Sequence, residues 1–288
     1  MPVATAPSAP SSPNALYNGI KGATAPLRVQ GGTLVLLSSL RSCPKLSEHT
    51  AMRCLVALLL LWAVSARAAE SVDLTLVLVD DVSRSIDDTE FDLQKHGYAG
   101  AFTDPEVLAA IKGGPAGAIA VQYIEFASTY EVRTIIDWTV IRDEASAHAF
   151  AQKFLEAPRS AWGRTAIGSG IELAVKVLGT SGFETQRRVI DVCGDGTNNN
   201  GPEVSSVRDE AVEAGITVNG LAIINDHPVS WTYAHVQPPG GLDNYYRENV
   251  TGGVGSFVVA IHDFHSFAEA IKRKLINEIA DSGTRRRM

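Results

Sequence analysis

The residues best placed to do chemistry are Asp81, Ser83 and Ser85. An apolar, β-branched run from Leu74 to Val79 ends abruptly in Asp80 and Asp81, and two hydroxyls follow at every second residue, Asp81-x-Ser83-x-Ser85. Hard oxygen donors on so short a loop suit a small divalent cation such as Mg²⁺. The run reads as a buried central strand of a parallel sheet. The polar cluster then sits on the loop at the strand's C-terminal end, where open α/β sheets place their ligand sites. Two more loops are expected at that end. One, Pro158 to Thr165, carries Thr165, and the other, Gly194 to Asn200, carries Asp195.

The elements that must hold these loops follow from periodicity and turn signals. Asp87-Asp88-Thr89-Glu90 has the pattern of a capping box, so a helix is predicted from about Asp88 to Phe102, and a second from Pro105 to Lys112. Strands at Ala118–Phe126 and Tyr130–Ile136 are separated by three residues and form a hairpin, which makes one edge strand antiparallel. A helix over Asp143–Glu156 follows, then one carrying Ile167, Ile171, Ala174 and Leu178 that is closed by Gly179. A strand at Arg188–Cys193, a helix opened by Pro202 and ended before Gly215, and a strand at Ile216–Ile224 come next. A long loop, Asn225 to Gly241, carries Trp231, Tyr233 and His235. A short helix around Asp243–Asn249, a strand at Ser256–Ala260 and a helix from Phe264 to Ala280 end the pattern. This alternation describes one α/β domain over about 72–280, a doubly wound, mostly parallel sheet with helices on both faces.

The N-terminal part differs. Residues 1–51 are rich in Ala, Pro, Ser and Gly, nearly free of acid and without sustained periodicity, the composition of disorder or of a mis-assigned extension. Met52 and Arg53 then precede an apolar run from Cys54 to Val64 and the small-residue stretch Ser65-Ala66-Arg67-Ala68. A basic start, a short apolar core and an A-x-A site make 52–68 a secretory signal peptide, cleaved between Ala68 and Ala69. The run is too short to span a bilayer comfortably. The expected mature protein is the domain 69–288, periplasmic or secreted, with no stable membrane span and with Met52 as the true start. Cleavage removes six basic residues and one acid, which moves the net charge from −7 to −12. Such a surface argues against nucleic acid as a partner. Of three cysteines only Cys193 survives, so no internal disulfide forms, and Cys193 reads as a small buried hydrophobe.

The set Asp81-x-Ser83-x-Ser85, Thr165 and Asp195, in this order and with these flanking strands and helices, resembles the metal-ion-dependent adhesion site (MIDAS) of von Willebrand factor type A (vWA) domains. The resemblance covers essentially the whole mature chain. The segment Arg188 to Asn200 and the export signal look most like an uncharacterised bacterial branch, a domain of unknown function. The resemblance implies that Ser83, Ser85 and Thr165 touch a metal (Mg²⁺, or Mn²⁺ or Ca²⁺) directly, while Asp81 and Asp195 act at least partly through bound water. It also implies an open coordination position that accepts an acidic side chain from a protein partner, with no catalysis.

Other readings compete for the same residues. Thr165 has the position of a helix N-cap, Asp195-Gly196 that of a plain turn, and Ser83 and Ser85 those of turn hydroxyls. Asp80 is a departure from the pattern, either a group behind the site or a solvent-facing strand end. Gly194-Asp195-Gly196 also resembles the acidic Mg²⁺ loop of haloacid-dehalogenase-type phosphatases, but Asp80 and Asp81 lack the second acid two residues on that a nucleophile–acid pair requires. A vWA scaffold that has lost its metal is the third alternative. His262-x-x-His265 reads as a strand end and helix start with no third zinc ligand.

Overall fold

A computed structural model describes residues 69–224 and 238–280, which lie within one compact unit beginning at Arg67. The expected extension, signal peptide and start at Met52, most of the loop Asn225–Gly241 with Trp231, Tyr233 and His235, and the basic tail lie outside the described residues.

Strand β2 (Leu74–Asp81) is buried along its whole length, as expected for a central strand with both faces covered. It pairs in parallel with β3 (Ile119–Phe126) and β6 (Arg188–Gly194). The six-stranded sheet continues outward through β7 (Thr217–Ile223) and β8 (Val258–Ile261) on one side. On the other it ends in β4 (Val132–Ile141), antiparallel to β3, giving the order β4-β3-β2-β6-β7-β8. A small parallel pair, β1 (Glu70–Ser71) with β5 (Phe183–Glu184), was not foreseen, because two-residue strands carry no periodicity.

Alternation along β2 sends Leu74, Leu76 and Leu78 to one face and Val77 and Val79 to the other. The first face is covered by α1 (Asp88–Thr103), α2 (Pro105–Lys112), α3 (Glu144–Glu156) and α7 (Phe267–Ala280). The second is covered by α4 (Ile167–Gly179), α5 (Val204–Glu213) and the segment after β7. The reciprocal Asp87–Glu90 capping box opens α1 as predicted.

Several boundaries move. The helix expected to open at Pro202 starts at Val204, because Glu203 accepts the Ser206 N–H and takes the cap role. The expected strand ending at Ile136 runs on to Ile141, its polar residues facing outward on an edge. The last helix begins as a 3₁₀ turn, Phe264–Ser266. The short helix α6 (Leu242–Tyr245) passes into a π-helical turn, Tyr246–Val250.

The seating of α4 on β2 has no slack. A Cβ on Gly170 would come to 2.7 Å from Val79 Cγ1 and 3.2 Å from Phe126 Cδ1. Gly170→Ala is therefore expected to destabilise the domain by about 1–3 kcal/mol through overpacking, despite alanine's better helix propensity. A lower urea midpoint at unchanged slope is the readout; an unchanged midpoint would mean that the helix slides freely.

Candidate metal centre

Three loops meet where β2, β3 and β6 end. The first follows β2 and turns because the Ser83 N–H donates to Asp81 Oδ1 at 2.7 Å. The second precedes α4, and Thr165 lies two residues before that helix. Its N-cap is Ala166, with no side-chain cap bond, so the reading of Thr165 as a cap is set aside. The Thr165 hydroxyl instead reaches Ser83 Oγ at 3.3 Å. The third loop follows β6, where Asp195 Oδ1 accepts from Ser85 Oγ at 2.8 Å. Ser83 Oγ and Ser85 Oγ lie 3.1 Å apart. One hydrogen-bonded run therefore joins Thr165, Ser83, Ser85 and Asp195, with Asp81 holding the turn beneath it, and all five residues are buried.

The loops are tied to one another by further residues. The Asn198–Asn200 run, which reads as loop with contacts behind the site as the lesser alternative, acts as three clamps. Asn199 Oδ1 accepts from Thr165 N at 3.1 Å, Asn198 Oδ1 from Gly168 N at 3.3 Å, and Asn200 Oδ1 from Thr129 N at 2.8 Å. Arg159 grips the first loop from below: its guanidinium donates to Val82 O at 2.8 Å and Ser83 O at 2.7 Å. Tyr246, on the π-helical turn, is fully buried beside the site. A Cβ on Gly194 would meet its hydroxyl at 2.7 Å and Asp81 Cβ at 3.1 Å, so a glycine is needed there. Burial, then the nearby Cys193, Asp81 and Asp195, push the Tyr246 phenol well up.

Asp80 is not a solvent-facing strand end. It is fully buried, pairs across the sheet with Glu125 and Cys193, and accepts from the Tyr98 hydroxyl at 2.7 Å. Burial raises its carboxyl well above the usual range, with Asp191, Glu125 and Asp81 adding to the effect. Further along the same face Lys274 lies 2.5 Å from Asp191 and 2.6 Å from Glu278, all three buried. Cys193 is buried and free, as expected of a small hydrophobe.

The donor set fits a hard cation. Oxygens bound side by side to an octahedral ion with bonds of about 2.1 Å stand about 3 Å apart, and the hydroxyl spacings of 3.1 and 3.3 Å match. Among the described residues no group of three or more His, Cys, Asp or Glu side chains could hold a metal ion. This leaves His262 and His265 without a zinc site, and a cation at the centre would depend on hydroxyl oxygen. A pocket of about 540 Å³, lined in part by Arg187, Arg188, Thr217 and Phe257, lies where β6 and β7 begin, at the opposite end of the sheet.

A family model described as "Protein of unknown function (DUF1194)" matches residues 71–283. Among solved structures, proximal thread matrix protein 1 from the mussel byssus, determined with a zinc-occupied MIDAS motif, is similar at TM-score 0.52 and 15% identity over 73% of this chain and 49% of that one. A von Willebrand factor type A protein from Catenulispora acidiphila is similar at TM-score 0.50 and 14% identity over 74% of this chain and 43% of that one. The chain thus spans about half or less of these proteins' length, and at such identities the likeness establishes a vWA-type fold. No curated protein matches the chain. No helix among the described residues is long and apolar enough to cross a membrane.

Proposed function

The chain belongs to the DUF1194 family, and we propose that its vWA-type domain is a binding module that captures a protein partner through a divalent cation held by Asp81, Ser83, Ser85, Thr165 and Asp195. The observation that carries this reading is the buried run of hydroxyls and carboxylate, Thr165–Ser83–Ser85–Asp195, assembled from three loops at adjacent-ligand spacing. An all-oxygen set favours Mg²⁺, with Mn²⁺ or Ca²⁺ as relatives in size and hardness. The uncharged hydroxyls leave a bound dication incompletely neutralised, so it supplies affinity for an incoming carboxylate. The N-terminus of α4 adds a positive dipole end beside Thr165. With Ser83 two positions after Asp81, no second carboxylate stands where a phosphatase needs its acid, and the module works without catalysis of its own. We place it outside the cytoplasm, periplasmic or secreted, on the strength of the apolar stretch 52–68.

Calorimetric titration tests the reading. Wild-type protein is expected to bind Mg²⁺ and Mn²⁺ at one site, and Ser83→Ala to weaken that binding by about ten- to a hundred-fold, the range seen when groups that organise a metal site are removed. Equal affinity in the two proteins would discard the site. Metal-dependent phosphatase turnover that Asp81→Ala abolishes would replace binding with hydrolysis.

A further inference from the structure

The face around the centre carries charged and aromatic groups that the metal reading does not use. Arg84 stands between Ser83 and Ser85, and Arg164 directly precedes Thr165; both are exposed. Among the described residues, Trp162 and Tyr130 are two of the few large apolar side chains left open to solvent, at 52% and 94% exposure. Trp162 is a fixed plate: Arg159 stacks 3.5 Å from its ring while its guanidinium holds the carbonyls of Val82 and Ser83. Tyr130 sits on the β3–β4 hairpin, whose Thr129 is bound to Asn200 from the loop of Asp195.

Charge selects the partner. The Arg159 side chain is buried and lies 3.7 Å from Asp88, whereas Arg84 and Arg164 are exposed and enter no ion pair among the described residues. A divalent cation held between them would gather positive charge at this point of a chain whose net charge is −7. Two exposed cations flanking the point where one carboxylate docks give room for more than one acid, and Trp162, held by Arg159, offers a preorganised apolar anchor.

We propose that the partner is an acidic protein segment that places one carboxylate on the cation, further acids against Arg84 and Arg164, and an adjacent aromatic or aliphatic side chain on the Trp162–Tyr130 surface. This rests on the metal reading and adds the chemistry of what is bound. Trp162 is the anchor, since aromatic side chains held rigid at an interface carry a large share of binding energy, while the two arginines set encounter rate and selectivity.

The experiment is selection of random linear peptides displayed on phage against the immobilised chain in Mg²⁺. Parallel selections use EDTA, the double variant Arg84→Glu/Arg164→Glu, and Trp162→Ala. Peptides rich in Asp and Glu beside an aromatic or aliphatic residue are expected from wild type. A synthetic copy of a selected peptide should bind each variant about ten-fold or more weakly. Tyr130→Ala, a change at an almost fully exposed side chain, repeats the anchor test without risk to folding. An empty selection, Mg²⁺-dependent peptides with no acidic flank, or peptides indifferent to all three variants would overturn the proposal. Acidic peptides that bind equally well in EDTA but are lost in the variants would retain the rim and remove the metal reading.

Discussion

Asp81→Asn is expected to weaken Mg²⁺ binding at least about a hundred-fold while the domain stays folded. The carboxylate has two duties that this substitution separates. Asp81 Oδ1 accepts the Ser83 N–H at 2.7 Å and so shapes the turn that aims Ser83 and Ser85. An asparagine keeps a carbonyl oxygen for that bond, and what it removes is charge. With three of the five donors uncharged, Asp81 and Asp195 are the site's only formal negative charges toward a dication. Losing one leaves hydroxyls and a single carboxylate, too little for a hydrated Mg²⁺ that gives up its water reluctantly. In the absence of metal the variant should unfold no more easily than wild type, because one of two buried, neighbouring carboxylates has been neutralised. Calorimetry with Mg²⁺ and a metal-free urea titration give the two readings. Retained Mg²⁺ affinity would remove Asp81 from the site. A metal-free protein that unfolds would show that the carboxylate's main duty is the turn.

The largest effect on stability is expected at Lys274. Its ammonium is fully buried, 2.5 Å from Asp191 and 2.6 Å from Glu278, and Glu278 Oε1 also accepts from Asn219 Nδ2 at 2.8 Å. Lys274→Met keeps much of the volume and deletes the one cation of the group. Breaking a buried pair in this way costs about 3–5 kcal/mol, since the partners remain as uncompensated charges. The cost depends on pH. Burial pushes the Glu278 carboxyl up to about 7 from 4.5, against the opposing pull of Lys274. A raised acid holds its proton in the folded state while the unfolded chain has lost it. Its contribution to stability is therefore complete below about pH 4.5 and is lost as the pH rises through about 7. Without Lys274 the folded state resists ionising Glu278 even more, so the loss in the variant should be greatest at neutral pH and smaller near pH 5. Urea unfolding of both proteins across that range is the measurement. A loss under about 1 kcal/mol at neutral pH would place the lysine among dispensable pairs.

Arg159, Asn199 and Lys274 also mark what local sequence cannot disclose. Arg159 reads as one more loop cation, and Asn199 as one residue of a polar run. Each becomes structural only when the fold carries it to a partner 77 or 34 residues distant, Val82 for the arginine and Thr165 for the asparagine. Lys274 falls on a helix whose periodic apolar residues predict a buried face, yet nothing in that periodicity announces a buried cation. Asp191, which balances it, reads as one more member of a buried strand run. Tyr246 had no signal beyond its place in a short helix.

What the sequence determined by itself is what short-range physics encodes. Alternating and continuous apolar runs set the order of strands and helices, the Asp87–Glu90 pair opened α1, and the β3–β4 hairpin was legible from its short connection. The stretch with Asp81, Ser83 and Ser85 was also visible, because its donors lie within five residues and their alternation is a property of one loop. Tertiary structure decided the rest. It turned Thr165 from a possible helix cap into a neighbour of Ser83 and joined Ser85 to Asp195 across 110 residues. It also buried Asp80 against Tyr98 on the face of the sheet away from the centre. Those outcomes depend on which strands lie side by side, β2 between β3 and β6, and strand order is set by packing of the whole sheet, not by any one segment.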